Sequence, residues 1–374
     1  MSEIKTEPPA GSAPQEVKPG PARRVLRGIV IGLGLIVAYL LFWPSPIDPV
    51  AFAPPPIPPL TGPLAPNDRL QDAELLAVGK VDGPEDVEVD AQGRIFTGTA
   101  DGRLVRVDPD GTVSTLATTG GRPVGIAFAP DGKLIVADAM KGLLSVDPAG
   151  EVALLADGAG NEPLGFADDV TVARDGTIYF SDASMKFGPQ EYLLDMLEAR
   201  PHGRLVRYDP ATHKTEVLLP DMCFANGVAL SQNEDFLLVN ETYRFRILRY
   251  WLTGKRAGEW DVFVDNLPGY PDNITQSGRG TFWLALFTIR NEQADWLSPR
   301  PFIKGMMAKL PAFLWPKPQP YAFVVQIDEE GKILNSLQDP TGRHLREVTS
   351  AFERDGYLYL GSLHNDRIGK HKLP

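Results

Sequence analysis

The chain has 374 residues, a formal net charge of −11 and 43% hydrophobic residues. That length allows one large core with appendages, and an acidic balance with no basic cluster to offset it excludes a nucleic-acid partner. Cys223 is the sole cysteine, so no intrachain disulfide can form; three residues before Asn226 in an apolar context, it reads as a buried, inert thiol.

Met1 to Ala22 lacks aromatic residues and holds Pro, Glu, Gly and Ser, the composition of a disordered tail. Arg23, Arg24 and Arg27 follow, and Gly28 to Trp43 is uncharged and mostly apolar. Residues 1–24 therefore read as a cytoplasmic tail and 25–43 as one transmembrane anchor, with Arg27 snorkelling. The positive flank precedes the span and no Lys or Arg follows until Arg69, which places the rest of the chain outside the cytoplasm, in a periplasm or secretory lumen. A cleaved signal peptide is disfavoured, because Tyr39 to Pro44 is bulky where a small-residue cleavage site should stand. Residues 44–67 contain ten prolines and read as a semi-rigid spacer holding the domain off the membrane. The folded domain is expected over 68–374. Residues 1–27 carry +2, leaving −13 for the remainder, a surface that disfavours adhesion to anionic lipid.

The domain is organised by a repeated phrase, clearest at Phe166-Ala-Asp-Asp-Val-Thr-Val-Ala-Arg-Asp-Gly-Thr-Ile-Tyr-Phe-Ser-Asp182. It is a strand, an Asp-Gly turn and a second β-branched and aromatic strand. Eight residues before the turn glycine stand Glu85, Val124, Asp168, Asp272 and Val348; a sixth copy starts at Asn226, with Glu234-Asp235 in place of Asp-Gly. Each phrase runs into a hairpin such as Gly102 to Gly111 or Gly203 to Pro210, about four strands per unit, the habit of a propeller blade. The expected fold is all-β, a six-bladed β-propeller with short helical insertions, its ring closed by a strand from Leu70 to Val81. Inner strands of a propeller begin around the central channel, so the six heads should converge. Glu85, Asp168, Asn226 and Asp272 carry carboxylate or amide oxygens, and no Lys or Arg occupies the six positions. Converging buried carboxylates resist ionisation unless a cation joins them, and an all-oxygen set suits Ca2+.

Two insertions break the spacing. Gln190 to Arg200 has Tyr192, Leu193, Met196 and Leu197 at helical spacing and Pro201 as its stop. Asn291 to Pro320 carries Trp296, Phe302, Phe313 and Trp315 among other apolar residues. It reads as a lid over the channel mouth, a membrane-facing patch, or a helix packed on the propeller face. No Gly-x-Ser-x-Gly elbow, His-Glu-x-x-His helix, phosphate loop or paired-cysteine zinc signature occurs. None of the five histidines heads a first strand, and His364 reads as a surface turn residue that could reach the channel mouth.

With the blades placed, the sequence resembles the calcium-propeller superfamily of gluconolactonase, paraoxonase and strictosidine synthase, and within it the strictosidine-synthase-like branch that includes adipocyte plasma membrane-associated protein. The resemblance covers Leu70 to Leu373. It rests on Gly121-Arg-Pro-Val-Gly-Ile126, Ala137-Asp-Ala139 with Lys141-Gly142, Phe180-Ser-Asp-Ala-Ser184, Leu197-Glu-Ala-Arg-Pro201, Phe224-Ala-Asn-Gly227 and Gly361-Ser-Leu363. It implies a metal held by Glu85, Asn226 and Asp272, with Asp168 where relatives often have asparagine and Asn273 matching a neighbouring ligand. The histidine pair of paraoxonase has no counterpart, and Thr349 stands where strictosidine synthase has its catalytic glutamate. Amine–aldehyde condensation is thereby disfavoured. The expected activity is calcium-dependent hydrolysis of an ester or lactone, with Asp168 or Asp272 as base. The alternative is a catalytically silent, calcium-stabilised propeller that binds a partner.

Overall fold

The computed structural model describes residues 20–374 and divides into two compact units between Pro46 and Ile47. In the first, helix α1 spans Pro21–Phe42, starting on a proline whose missing N–H needs no partner at that position. It is long and apolar enough to cross a membrane. Pro21 to Arg24, expected in the tail, belong to this helix, because Arg23 and Arg24 donate their backbone N–H groups to Gly20 O. The rest of the expected tail lies outside the described residues.

The second unit is a six-bladed propeller of four-stranded antiparallel sheets. The innermost strands of blades one to six are Val87–Val89, Pro123–Phe128, Ala167–Val172, Ala225–Leu230, Gly269–Gln276 and Val348–Arg354. Their apolar residues are buried because each blade stacks on its neighbours, one cluster running from Val124 through Phe236 and Phe282 to Phe323. Ring closure comes from Glu74–Leu76, which pairs antiparallel with the last strand in the register Glu74 to Lys370 and Leu76 to Ile368. The turn glycines take left-handed backbone, as at Gly176 with φ 90°. Glu234, which replaces glycine in the fourth blade, holds φ 59°, a conformation that costs a side-chain-bearing residue about 1 kcal/mol. Its carboxylate there accepts the Arg174 N–H.

The proline-rich stretch does not stand off the domain as a spacer. From Ile47 it is part of the propeller unit: Ile47 is buried with Phe187, Leu197 and Leu297, and Phe52 sits under the Arg244 guanidinium at 4.1 Å. The reason lies in proline chemistry. A proline lacks an N–H, so such a strand offers carbonyls and needs donors. The body supplies them: Lys304 Nζ to Val50 O at 2.6 Å, Arg290 to Pro55 O at 2.6 Å, Asn266 to Pro56 O at 3.0 Å and Ser336 to Pro63 O at 2.7 Å.

Helix α2 (Tyr192–Glu198) and helices α3 (Glu292–Leu297) and α4 (Pro301–Met307) come from the two insertions. They share an apolar cluster and cap one end of the ring. Trp296, Phe302, Phe313 and Leu314 remain more than half exposed. The second insertion thus packs through Leu297, Ile303, Met307 and Trp315, lines a cavity with Ala294, Pro316 and Pro318, and turns these four apolar side chains outward.

Candidate active site

A β-bulge at the same place in five inner strands shapes the channel end. The sheet register shifts around Val124 in blade two, Asp168 and Asp169 in blade three, Asn226 and Gly227 in blade four, Asp272 and Asn273 in blade five, and Thr349 in blade six. A bulged residue is unpaired and can be aimed out of the sheet. In blade one Glu85 and Asp86 immediately precede the strand. Glu85, Val124, Asp168, Asn226, Asp272 and Thr349 consequently line one cavity of about 170 Å³. Counting back from the turn named Val348 in blade six, but Val348 is buried in the blade core and the bulge presents Thr349, whose hydroxyl donates to Glu85 O at 2.6 Å. Asn273 lies beside the cavity, its amide 3.4 Å from Glu85 Oε1.

Close packing of the blades makes this convergence possible. A Cβ on Gly227 would lie 2.4 Å from Asp272 O, so glycine is required there for the fourth and fifth inner strands to approach. Asn240 donates to Asp272 O, and Thr242 donates to Pro271 O at 2.7 Å, fixing the bulge that carries Asp272.

The floor is buried and polar. Glu85 Oε2, Asp168 Oδ2, Asn226 Oδ1 and Asn273 Oδ1 are all inaccessible and accept no hydrogen bond, although buried oxygens in folded proteins almost always find a donor. Burial pushes the Glu85 carboxyl well up, reinforced by Asp272, Asp168 and Asp86 and opposed by Arg122. Burial followed by Asp272 and Asp169 does the same to Asp168. Asp272 is pushed up to about 8 by burial, against a hydrogen bond from Asn226.

This donor set fits a hard divalent cation. The orphaned oxygens are uniformly carboxylate or amide, the chemistry such ions take. Among the described residues no three His, Cys, Asp or Glu side chains are grouped to hold an ion by themselves, so the amides of Asn226 and Asn273 are needed to complete a shell.

The walls are apolar: Phe166, Phe224, Tyr243 and Tyr270 from the propeller and Leu193 and Met196 from α2. Ala294, Pro316 and Pro318 of the long insertion complete the rim. Two cations also line the cavity, Arg122 and Lys317, and sequence reasoning missed both. Arg122 stands just ahead of the second inner strand, and its guanidinium enters the wall beside Glu85. The signal was available as the Arg of Gly121-Arg-Pro-Val. His364 sits above the rim, 2.7 Å from Glu347 Oε2 and ring to ring with the lining residue Phe287. Cys223 is buried, with its thiol pushed up to about 12 by burial, as an inert thiol should be.

Six four-stranded blades with oxygen ligand candidates at the bulged inner strands define a six-bladed β-propeller. A gluconolactonase from Xanthomonas campestris superposes with a TM-score of 0.61 at 19% identity, covering 88% of this chain and 97% of its own. The calcium-binding protein regucalcin from Agrobacterium tumefaciens gives 0.57 at 15%, over 82% and 94%. These likenesses establish the fold. The sequence is more specific. Residues 62–107 match the strictosidine synthase-like N-terminal family and residues 168–255 the strictosidine synthase family. Adipocyte plasma membrane-associated protein from Rattus norvegicus is 39% identical over 93% of this chain and 98% of its own. Strictosidine synthase-like 4 from Arabidopsis thaliana is 38% identical over 88% of each. The chain belongs to the strictosidine-synthase-like family that contains adipocyte plasma membrane-associated protein.

Proposed function

We propose that this protein is a membrane-anchored, calcium-dependent hydrolase of esters or lactones. The observation that carries the reading is the set of four buried oxygens without donors at the base of an apolar cavity. Glu85, Asp168, Asn226, Asp272 and Asn273 would hold the ion, which when bound polarises a carbonyl and lowers the pKa of a nearby water. The Arg122 guanidinium beside Glu85 offsets part of the carboxylate charge that remains. The apolar body of the substrate lies against Phe166, Phe224, Tyr243 and Tyr270. Asp168 or Asp272, ionised in that site, takes the proton of the attacking water. The gluconolactonase likeness is support at the level of the fold.

A screen of aryl esters and lactones with and without chelator tests this. Chelator-sensitive turnover that falls in Asp272→Ala and Asp168→Asn is expected. A chelator-sensitive melting point with no turnover on any ester or lactone would instead favour a calcium-stabilised binding module. The anchor reading is that α1 spans the membrane with Arg23, Arg24 and Arg27 on the cytoplasmic side. External protease should then degrade the propeller in intact cells or spheroplasts, and its protection would reverse the orientation.

A further inference from the structure

We infer that Arg122 forms a carboxylate-binding subsite in the cavity wall, so that the cavity takes amphipathic acids with an apolar body. Arg122 is nine-tenths buried and makes no ion pair among the described residues. Its backbone N–H is held by Asp138 Oδ1 at 2.9 Å and its Nη2 donates to Gly83 O at 3.0 Å. Its Nη1 is buried and has no acceptor. A guanidinium has five donors in one plane, and leaving one unmet in a dry wall is costly. Gly83, whose carbonyl takes that Nη2 bond, has φ 56° and a Cβ there would come 2.7 Å from Leu363 O, so glycine is required to hold this acceptor in place. The opposite walls, Phe166, Phe224, Tyr243 and Tyr270, are aromatic. A ligand satisfying both sides has an acceptor pair at one end and an apolar body at the other, and a planar carboxylate matches the guanidinium fork.

The subsite rests on the cavity alone; its link to turnover rests on the hydrolase reading. Hydrolysis of an ester or lactone consumes one water, breaks the acyl C–O bond and yields a hydroxyl, a proton and a carboxylate. That carboxylate is the group Arg122 would hold. Glu85, Asp168 and Asp272 repel a carboxylate unless their charge is met, so binding should require the cation.

The test is calorimetric titration of the full chain, in detergent with calcium, with phenylacetate and with its neutral isostere phenylacetamide. Phenylacetate is expected to bind at least tenfold more tightly, and chelator or Arg122→Met should erase that preference. Equal binding of acid and amide to the wild type would overturn the subsite, as would a preference that survives Arg122→Met. Equal binding by the wild type overturns the subsite even where that variant fails to fold, and Lys317→Met, at the other cation of the lining, should leave the preference intact. A preference for phenylacetate in a protein that hydrolyses no ester supports the subsite and overturns only the hydrolase reading.

Discussion

Two pairs of neighbouring acids, Glu85–Asp86 and Asp168–Asp169, show how one residue of offset separates structure from site. All four are buried. Asp86 Oδ1 accepts the Val87 N–H at 2.8 Å and its Oδ2 accepts the Ile126 N–H at 2.9 Å, which joins the first blade to the second. Asp169 repeats the arrangement, with Val170 N–H at 2.8 Å and Val228 N–H of the fourth blade at 2.7 Å. Both oxygens of each staple are satisfied by backbone. Glu85 and Asp168 each keep one buried oxygen without a donor and face the cavity. Burial and charge are shared; what differs is whether the backbone uses up the lone pairs.

The sharpest way to break that comparison is to remove one member of a pair. Asp169→Ala strands two buried N–H groups, each costing about 1–3 kcal/mol when unmet, so a loss of about 3 kcal/mol is expected in denaturant unfolding. Asp168→Ala, measured in chelator, removes a repelled carboxylate and should be neutral or stabilising. Equal losses at the two positions would show that the cavity carboxylates are structural as well.

Much of this was legible in the sequence because the repeat preserves register. Eight residues from turn to bulge is a fixed count in a strand of period two, so Glu85, Asp168, Asn226 and Asp272 could be named before any coordinates. The count failed in blade six, where Val348 is core and Thr349 faces the cavity, because Arg354 pairs with Tyr357 across a turn of only Asp355 and Gly356, whereas five residues separate Val172 from Ile178 in blade three. Residues 47–67 were misread for a different reason. Proline content announces missing donors, but whether Arg290, Asn266, Lys304 and Ser336 stand ready to supply them is a tertiary fact. Arg122 lies outside the channel heads, one residue ahead of the second inner strand, so the count from turn to head passes over it although Gly121-Arg-Pro-Val stands in the sequence.

Calcium sharpens the comparison from the other side. If the cavity acids and not the staples take the ion, calcium should stabilise the wild type by about 2.7 kcal/mol at a hundredfold excess over Kd. Asp272→Ala should lose that response in a melting titration, whereas Asp86→Asn, however destabilised, should keep it. An unchanged melting temperature after exhaustive chelation would remove calcium from the site and the hydrolase with it.

Asp195 on α2 asks whether an unmet buried oxygen is by itself enough to mark a site. Its Oδ1 is buried without a donor, like those of the cavity, but its Oδ2 accepts the Ser184 hydroxyl at 2.5 Å and the residue is part of the helical cap. Burial pushes it up to about 6, against the Ser184 hydrogen bond and the neighbouring His202 and Lys186. A carboxyl with an ordinary value near 3.9 when unfolded and a raised one when folded stabilises the fold most when protonated. That contribution is full below pH 4 and is lost as the pH rises through about 6. The cap should therefore open more readily at pH 7 than at pH 5, by about 1 kcal/mol, a tenfold change in proton affinity being worth about 1.4 kcal/mol. Amide exchange across Tyr192–Glu198, corrected for the intrinsic pH dependence, reads this directly. Asp195→Asn should flatten the difference, and calcium should leave it unchanged. A calcium-dependent change in α2 protection would mean that the cap and the channel floor are one coupled site, and that the unmet oxygen of Asp195 belongs with those of Glu85 and Asp168.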